Sequence, residues 1–259
     1  MKTKQCLVLD YSDTITDNFS TLAYAKIIQN LNNIEYFYEN DTNKRNMIEN
    51  YMSDFDIDLN FISSKKVSDI VGKTYFLNKI FLKNKRLFNK CVFHNILFKN
   101  KFDISDIHLI TEDIKAMFRF KDLSFIKNFD ILDDILSTNS IGIFISSKDE
   151  FNNQDAFYLK KSVKRLNKFV KNPKLFIFSD SNSINISTFI NYQIVKISNW
   201  KEIYYFLSNC KHHVIFNKKN SYSMNFWGSV VLNKEYSYCV CKRNKYLKNK
   251  SAHNLLFID

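Results

Sequence analysis

Three short polar clusters carry residue types suited to holding an anion: Ser146-Ser147-Lys148-Asp149, Ser179-Asp180-Ser181-Asn182 and Asn217-Lys218-Lys219-Asn220-Ser221. Lysine brings a point charge, while serine and asparagine side chains donate hydrogen bonds to oxygen. The carboxylate of Asp149 fits proton removal from a hydroxyl, or equally a loop or helix cap. Each cluster follows an apolar run: Ile141-Gly142-Ile143-Phe144-Ile145, Leu175-Phe176-Ile177-Phe178 and His213-Val214-Ile215-Phe216. The competing reading is that strand-to-helix loops are polar in any α/β fold.

Those apolar runs must be the elements that position the clusters. Buried on both faces and separated by helical patterns, they read as strands of a parallel, doubly wound sheet. Such a sheet binds ligands outside the carboxyl ends of its strands, so clusters far apart in sequence converge. Helices starting after these loops would add backbone N–H groups suited to a diphosphate. The periodicity predicts helices at 154–170 and from the Asn199 cap to about 209, with a strand at 192–197 and a last one at 236–241. A helix over 224–232 is also predicted, and Trp227 reads as core. In the first half, Cys6-Leu7-Val8-Leu9 and residues 34–38 read as strands flanking a helical pattern from Phe19 to Leu31. Residues 40–101 read as irregular or helical decoration, followed by helices at 107–120 and 126–138.

Composition sets the bounds. At 259 residues and 45% hydrophobic, the chain can bury one large α/β core or two small ones. Three glycines and one proline exclude collagen-like or loop-dominated structure. A net charge of +12 suits nucleic acid, an anionic membrane or a phosphate-bearing substrate, and does not choose among them. The apolar run at the start stops at Asp10, short of a signal peptide, and no window reaches a membrane span. The expected location is therefore cytoplasmic. Five scattered cysteines without paired ligand spacing read as inert thiols, and no metal is expected. The Asp-x-Asp spacing in Asp54-Phe55-Asp56-Ile57-Asp58 reads as surface. The basic run at 242–250, KRNKYLKNK, is either a solvated segment or a peripheral contact with anionic lipid. The glycine-aromatic and paired Cys/His signatures of common nucleic-acid modules are missing, so no nucleic-acid partner is expected.

Several segments, in order, resemble the inverting alpha-1,2-fucosyltransferases, glycosyltransferase family eleven. Phe176-Ile177-Phe178-Ser179-Asp180 is similar to the family's Phe-Ser-Asp segment, and Cys210-Lys211-His212-His213-Val214-Ile215 to the stretch before its Asn-Ser-Thr-Phe-Ser-Trp-Trp-Gly motif. That motif is degraded here to Asn220-Ser221-Tyr222-Ser223-Met224-Asn225-Phe226-Trp227-Gly228. Residues 141–149 stand where the family carries a His-x-Arg-x-x-x-Asp-like signature, 17–26 resemble its Asn-Gln-x-Phe-Gln-Tyr-Ala segment, and 114–121 its linker region. The resemblance implies two Rossmann-like lobes of the GT-B kind, with 1–125 on the acceptor side and 126–259 binding a nucleotide-sugar. It implies metal-free transfer of fucose from GDP-fucose to a galactoside hydroxyl with inversion. Asp149 would be the catalytic carboxylate. Ser146, Lys148, Ser179, Asp180, Lys218, Lys219, Asn220 and Ser221 would hold the donor, with Asp17 and Asn18 contributing from the first lobe.

The chain departs from the pattern at Thr14-Ile15-Thr16, where the family has a glycine-rich turn, and at Phe144 and Ser146, which replace the motif His and Arg. Charge grows on the β-phosphate as the sugar leaves, and losing one fixed donor there typically costs about 10²–10³ in rate. Lys148, Lys218 or Lys219 could restore charge without the bidentate fork of arginine. Two further readings therefore stand beside the transferase: a catalytically impaired relative that keeps the fold, and a basic membrane-surface or nucleic-acid module.

Overall fold

The apolar runs become strands of two all-parallel sheets in the computed structural model. It describes residues 6–9, 18, 19, 21–23, 25, 26, 29, 35–39, 42–62, 93, 94, 111–145, 152–179, 191–215, 238–242 and 254–258. The chain divides into two compact units, Met1–Lys121 and Asp122–Asp259.

The first unit contains β1 (Cys6–Leu9), β2 (Glu35–Glu39), α1 (Thr42–Met52), β3 (Phe61–Ile62), β4 (Phe93–His94) and α2 (Thr111–Met117). Its sheet runs β3-β2-β1-β4 with every pair parallel. The stretch 40–101 is thus more than decoration, because it supplies α1 and two strands of the sheet. Residues 18, 19, 21–23, 25, 26 and 29 are helical, and they bury Asn18, Phe19, Leu22, Ala23 and Ala25. Phe19, Phe55 and Phe118 form an aromatic knot, with Phe19 4.3 Å from Phe118 and edge-on to Phe55 at 5.3 Å. Phe55 also bridges to Phe120 in antiparallel sense, so alternation turns Phe55 and Ile57 inward and leaves Asp56 and Asp58 exposed.

The second unit contains α3 (Phe129–Ser137), β5 (Asn139–Ile145), α4 (Asn153–Leu166), β6 (Pro173–Ser179), β7 (Tyr192–Lys196), α5 (Trp200–Asn209), β8 (His212–Val214), β9 (Tyr238–Lys242) and β10 (Asn254–Ile258). Its sheet runs β10-β9-β8-β5-β6-β7, again all parallel. β10 corrects the reading that the series closes at β9, since Asn254 to Ile258 pair with Tyr238 to Lys242 as a further edge strand. Asn172 (φ 46°) and Asn191 (φ 62°) take left-handed turns just before β6 and β7, a conformation asparagine tolerates better than most residues.

The two faces of β5 explain its continuous apolar sequence. Ile141, Ile143 and Ile145 pack with Leu175, Ile177, Val214 and Val240 against Tyr158, Leu159 and Leu166 of α4. Gly142 lies on the opposite face, close to Leu207 and Cys210 at the end of α5. Phe178 stands 6.3 Å from Phe206 of α5. A buried carboxylate ties α5 to the entry of α3. Glu202 accepts from the backbone N–H groups of Lys127 (2.8 Å) and Asn128 (2.9 Å) and from the Asn128 amide (3.0 Å).

Candidate functional site

The second sheet reads 3-2-1-4-5-6 when its strands are numbered in chain order from β5, running from β7 across to β10. Sheets of this order bind ligands where the winding reverses, outside the carboxyl ends of the first and fourth strands. Here that point lies between β5 and β8, paired at Ile141↔His212 and Gly142↔His213. The runs 146–149 and 217–221 follow the ends of these two strands in sequence. Ser179 ends β6 in register with Ile145 and is buried. Topology thus brings the β6 terminus beside the strand that leads into 146–149. Asn18 lies inside the first unit, fully buried. Ser146, Lys148, Asp149, Asp180, Lys218, Lys219, Asn220, Ser221 and Asp17 lie outside the described residues, as do 224–232 with Trp227 and 243–250.

Sequence reasoning missed a tie across the switch point. The buried Tyr158 hydroxyl of α4 donates to the Ile215 carbonyl at 2.9 Å, and the Ile215 N–H donates to Val240 at 2.8 Å. Ile215 is the first residue past β8, so the departure of the chain from that strand is pinned from both sides. One of the pins is the helix that follows β5. A tyrosine on the buried side of an amphipathic helix needs a partner for its O–H. That need is legible in the sequence; the partner, 57 residues away, is not.

The helix after β5 does not offer its N-terminus to an anion, which corrects the expectation of free N–H donors there. Asn152 accepts from the N–H groups of Gln154 (2.9 Å) and Asp155 (3.1 Å), while the Asp155 carboxylate accepts from the Asn152 N–H at 3.0 Å. This capping box fills three of the four entry donors internally and sets a negative charge where a phosphate would need a positive field. At α5, Asn199 likewise accepts from Lys201 N–H at 3.1 Å.

Other candidate reactive groups are quiet. Phe144, at the position of the resembled family's histidine, is a half-buried ring in register with Phe178 and has no proton to exchange. Burial pushes the Cys210 thiol far up, so it stays protonated and unreactive. His213 is buried with Nε2 3.1 Å from the Cys210 carbonyl, which can only accept. The proton therefore sits on Nε2.

His212 stands at the amino end of β8, away from the carboxyl-end site. Its Nδ1 accepts from the Tyr238 N–H at 3.2 Å, joining β8 to β9. Burial, helped by the neighbouring Lys211 charge, lowers its pKa to about 4. A group held neutral in the fold contributes stability fully above its unfolded pKa of about 6.5. That contribution is lost as pH falls from about 6.5 through about 4. Urea midpoints at pH 7 and pH 4.5 should therefore drop more for the wild type than for His212→Asn, which keeps an acceptor but cannot titrate. Equal drops would dismiss the role of His212.

Two parallel α/β units in one chain match the expected fold class, two Rossmann-like lobes of the GT-B kind. Solved structures carry it across nearly the whole chain. NodZ alpha-1,6-fucosyltransferase soaked with GDP-fucose superposes with a TM-score of 0.54 at 13% identity, covering 89% of this chain and 93% of that one. NodZ co-crystallised with GDP gives a TM-score of 0.53 at 14% identity over 89% and 93%. Fucosyltransferase NodZ from Bradyrhizobium gives 0.50 at 12% over 89% and 94%. At such identities the likeness is one of fold. No protein-family model and no curated protein sequence matches the chain. Among the described residues no helix is long and apolar enough to cross a membrane.

Proposed function

We propose that the second unit binds a GDP-sugar at the carboxyl ends of β5 and β8, and that the chain is a fucosyltransferase-type glycosyltransferase. It would move fucose, with inversion and without a metal, onto a galactoside hydroxyl of the alpha-1,2 type. The observation that carries this reading is the strand order: its reversal point lies between the strands that lead into the lysine-bearing runs. The fold it shares with structures solved with GDP-fucose and with GDP supports the choice of ligand. In this assignment Lys148, Lys218 and Lys219 supply positive charge to the diphosphate, and Ser146, Asn220 and Ser221 donate to its oxygens. Ser179 and Asp180 take the ribose or base, and Asp149 takes the acceptor proton. The first unit serves the acceptor side, with Asp17 as its candidate residue; full burial of Asn18 corrects its place from the site to the core of that unit.

A second reading, a catalytically impaired relative that still binds the nucleotide, is favoured by Phe144 and by the self-capped α4. One experiment separates the two. GDP, but not ADP, should raise the thermal midpoint of the protein, with a stabilisation of about 2.7 kcal/mol at a hundredfold excess over Kd. No GDP effect would sink both readings. GDP release from GDP-fucose on a panel of terminal galactosides would then select the transferase, and binding without release the impaired relative. Replacing Lys148, Lys218 and Lys219 together by Ala should abolish the GDP effect. Tyr158→Phe keeps the ring in the core and removes only the hydroxyl that holds Ile215. It should lower fold stability by about 0.5–1.5 kcal/mol, the net worth of one hydrogen bond, and weaken GDP binding as the chain past β8 loosens. Unchanged affinity would remove Tyr158 from the site.

A further inference from the structure

We infer that the exposed face of α4 is a contact surface for an anionic lipid bilayer, independent of the nucleotide site. Phe157, Lys160, Lys161 and Lys164 fall at i, i+3, i+4 and i+7, the spacing of one helix face, and all are exposed. Lys168 continues the stripe in the turn after the helix, and Arg165 and Lys171 are exposed beside it. The only acid of the helix, Asp155, is buried in its own capping box. Tyr158, Leu159, Ser162 and Leu166 bury the other side of the helix. The cationic side therefore cannot roll inward.

The placement of Phe157 selects the partner. Its ring is 67% exposed, more than any other large hydrophobic side chain among the described residues. A nucleic-acid duplex or an acidic peptide satisfies the lysines and leaves an apolar ring among charges. A bilayer interface offers both environments at once: an anionic layer for the ammonium groups, and just beneath it the acyl boundary for the ring. Lysine stems are long enough to lie along that boundary while their heads stay at the phosphates.

The test is co-sedimentation of the full chain with phosphatidylcholine vesicles, with and without phosphatidylglycerol. The wild type should bind only the anionic vesicles. Each cation near such a surface raises partitioning about fivefold, so Lys160→Glu with Lys164→Glu should lower it about 25-fold or more. Phe157→Ser should lower it about tenfold by removing the inserted ring. Both variants change exposed positions and leave 242–250 intact. Partitioning equal to wild type in both would overturn the proposal and move the contact to that basic run. Binding that ignores phosphatidylglycerol would also overturn it. So would retention on duplex DNA, lost in both variants, by a protein that fails to bind vesicles.

Discussion

Glu202→Ala is expected to destabilise the second unit by about 2–4 kcal/mol. The side chain is 2% exposed and one oxygen accepts three hydrogen bonds, two of them from the backbone that enters α3. A carboxylate at a helix entry also complements the positive end of the helix dipole. Removing it leaves the Asn128 N–H and amide partly cut off from water, although Lys127 is exposed enough for water to satisfy its N–H. The three losses therefore do not add fully. Glu202→Gln keeps an acceptor oxygen without the charge, and should cost about half as much. Urea unfolding followed by tryptophan fluorescence reads the effect directly, because Trp200 and Trp227 both belong to the second unit. A loss below about 0.5 kcal/mol for Ala, the level of an ordinary surface change, would show that Glu202 does not hold α3.

The second large effect belongs to Gly142, in the middle of β5. It is a glycine of close approach, with no positive φ to explain it. A Cβ added there would lie 2.9 Å from Cys210 Sγ, 3.0 Å from Cys210 Cβ and 3.3 Å from Leu207 Cδ2. Cys210 ends α5 and is fully buried, so it cannot swing away. Gly142→Ala should cost about 1–3 kcal/mol by overpacking, and Gly142→Val more. Cys210→Ala in the Gly142→Ala background should recover part of the loss, because the sulfur is gone while the Cβ contact remains. Strict additivity of the two substitutions would show that the helix end and the strand do not press on one another.

The strands were legible because each is an apolar run bounded by polar residues. This is why β5, β6 and β7 sit within a few residues of where the sequence places them. β10 is as apolar a run as the others, Leu255-Leu256-Phe257-Ile258, and escapes only because it follows a basic run. The first sheet was half hidden because β3 and β4 are two-residue strands, too short to show a period. Strand order is not written in local pattern at all. Parallel alternation announces a doubly wound sheet, but that β5 lies beside β8 is set by tertiary pairing. The candidate site shares this division. The polar run opening at Ser179 is plain in the sequence, while the burial of Ser179 beside the end of β5 is not. The Asn152-x-x-Asp155 spacing that closes the α4 N-terminus was present in the letters, outweighed by the expectation that a helix after a central strand offers its N–H groups to a ligand.

That closed terminus changes the character of any grip on a nucleotide. A site built from peptide N–H groups adds neutral hydrogen bonds to its helix field, and only the field is screened by salt. With two amides of α4 already engaged by Asn152, the proposed grip leans on the ammonium groups of the lysine-bearing runs, whose pull fades as counterions crowd in. Nucleotide recognition of the proposed kind would then be strong near a few tens of millimolar electrolyte and slack in brine.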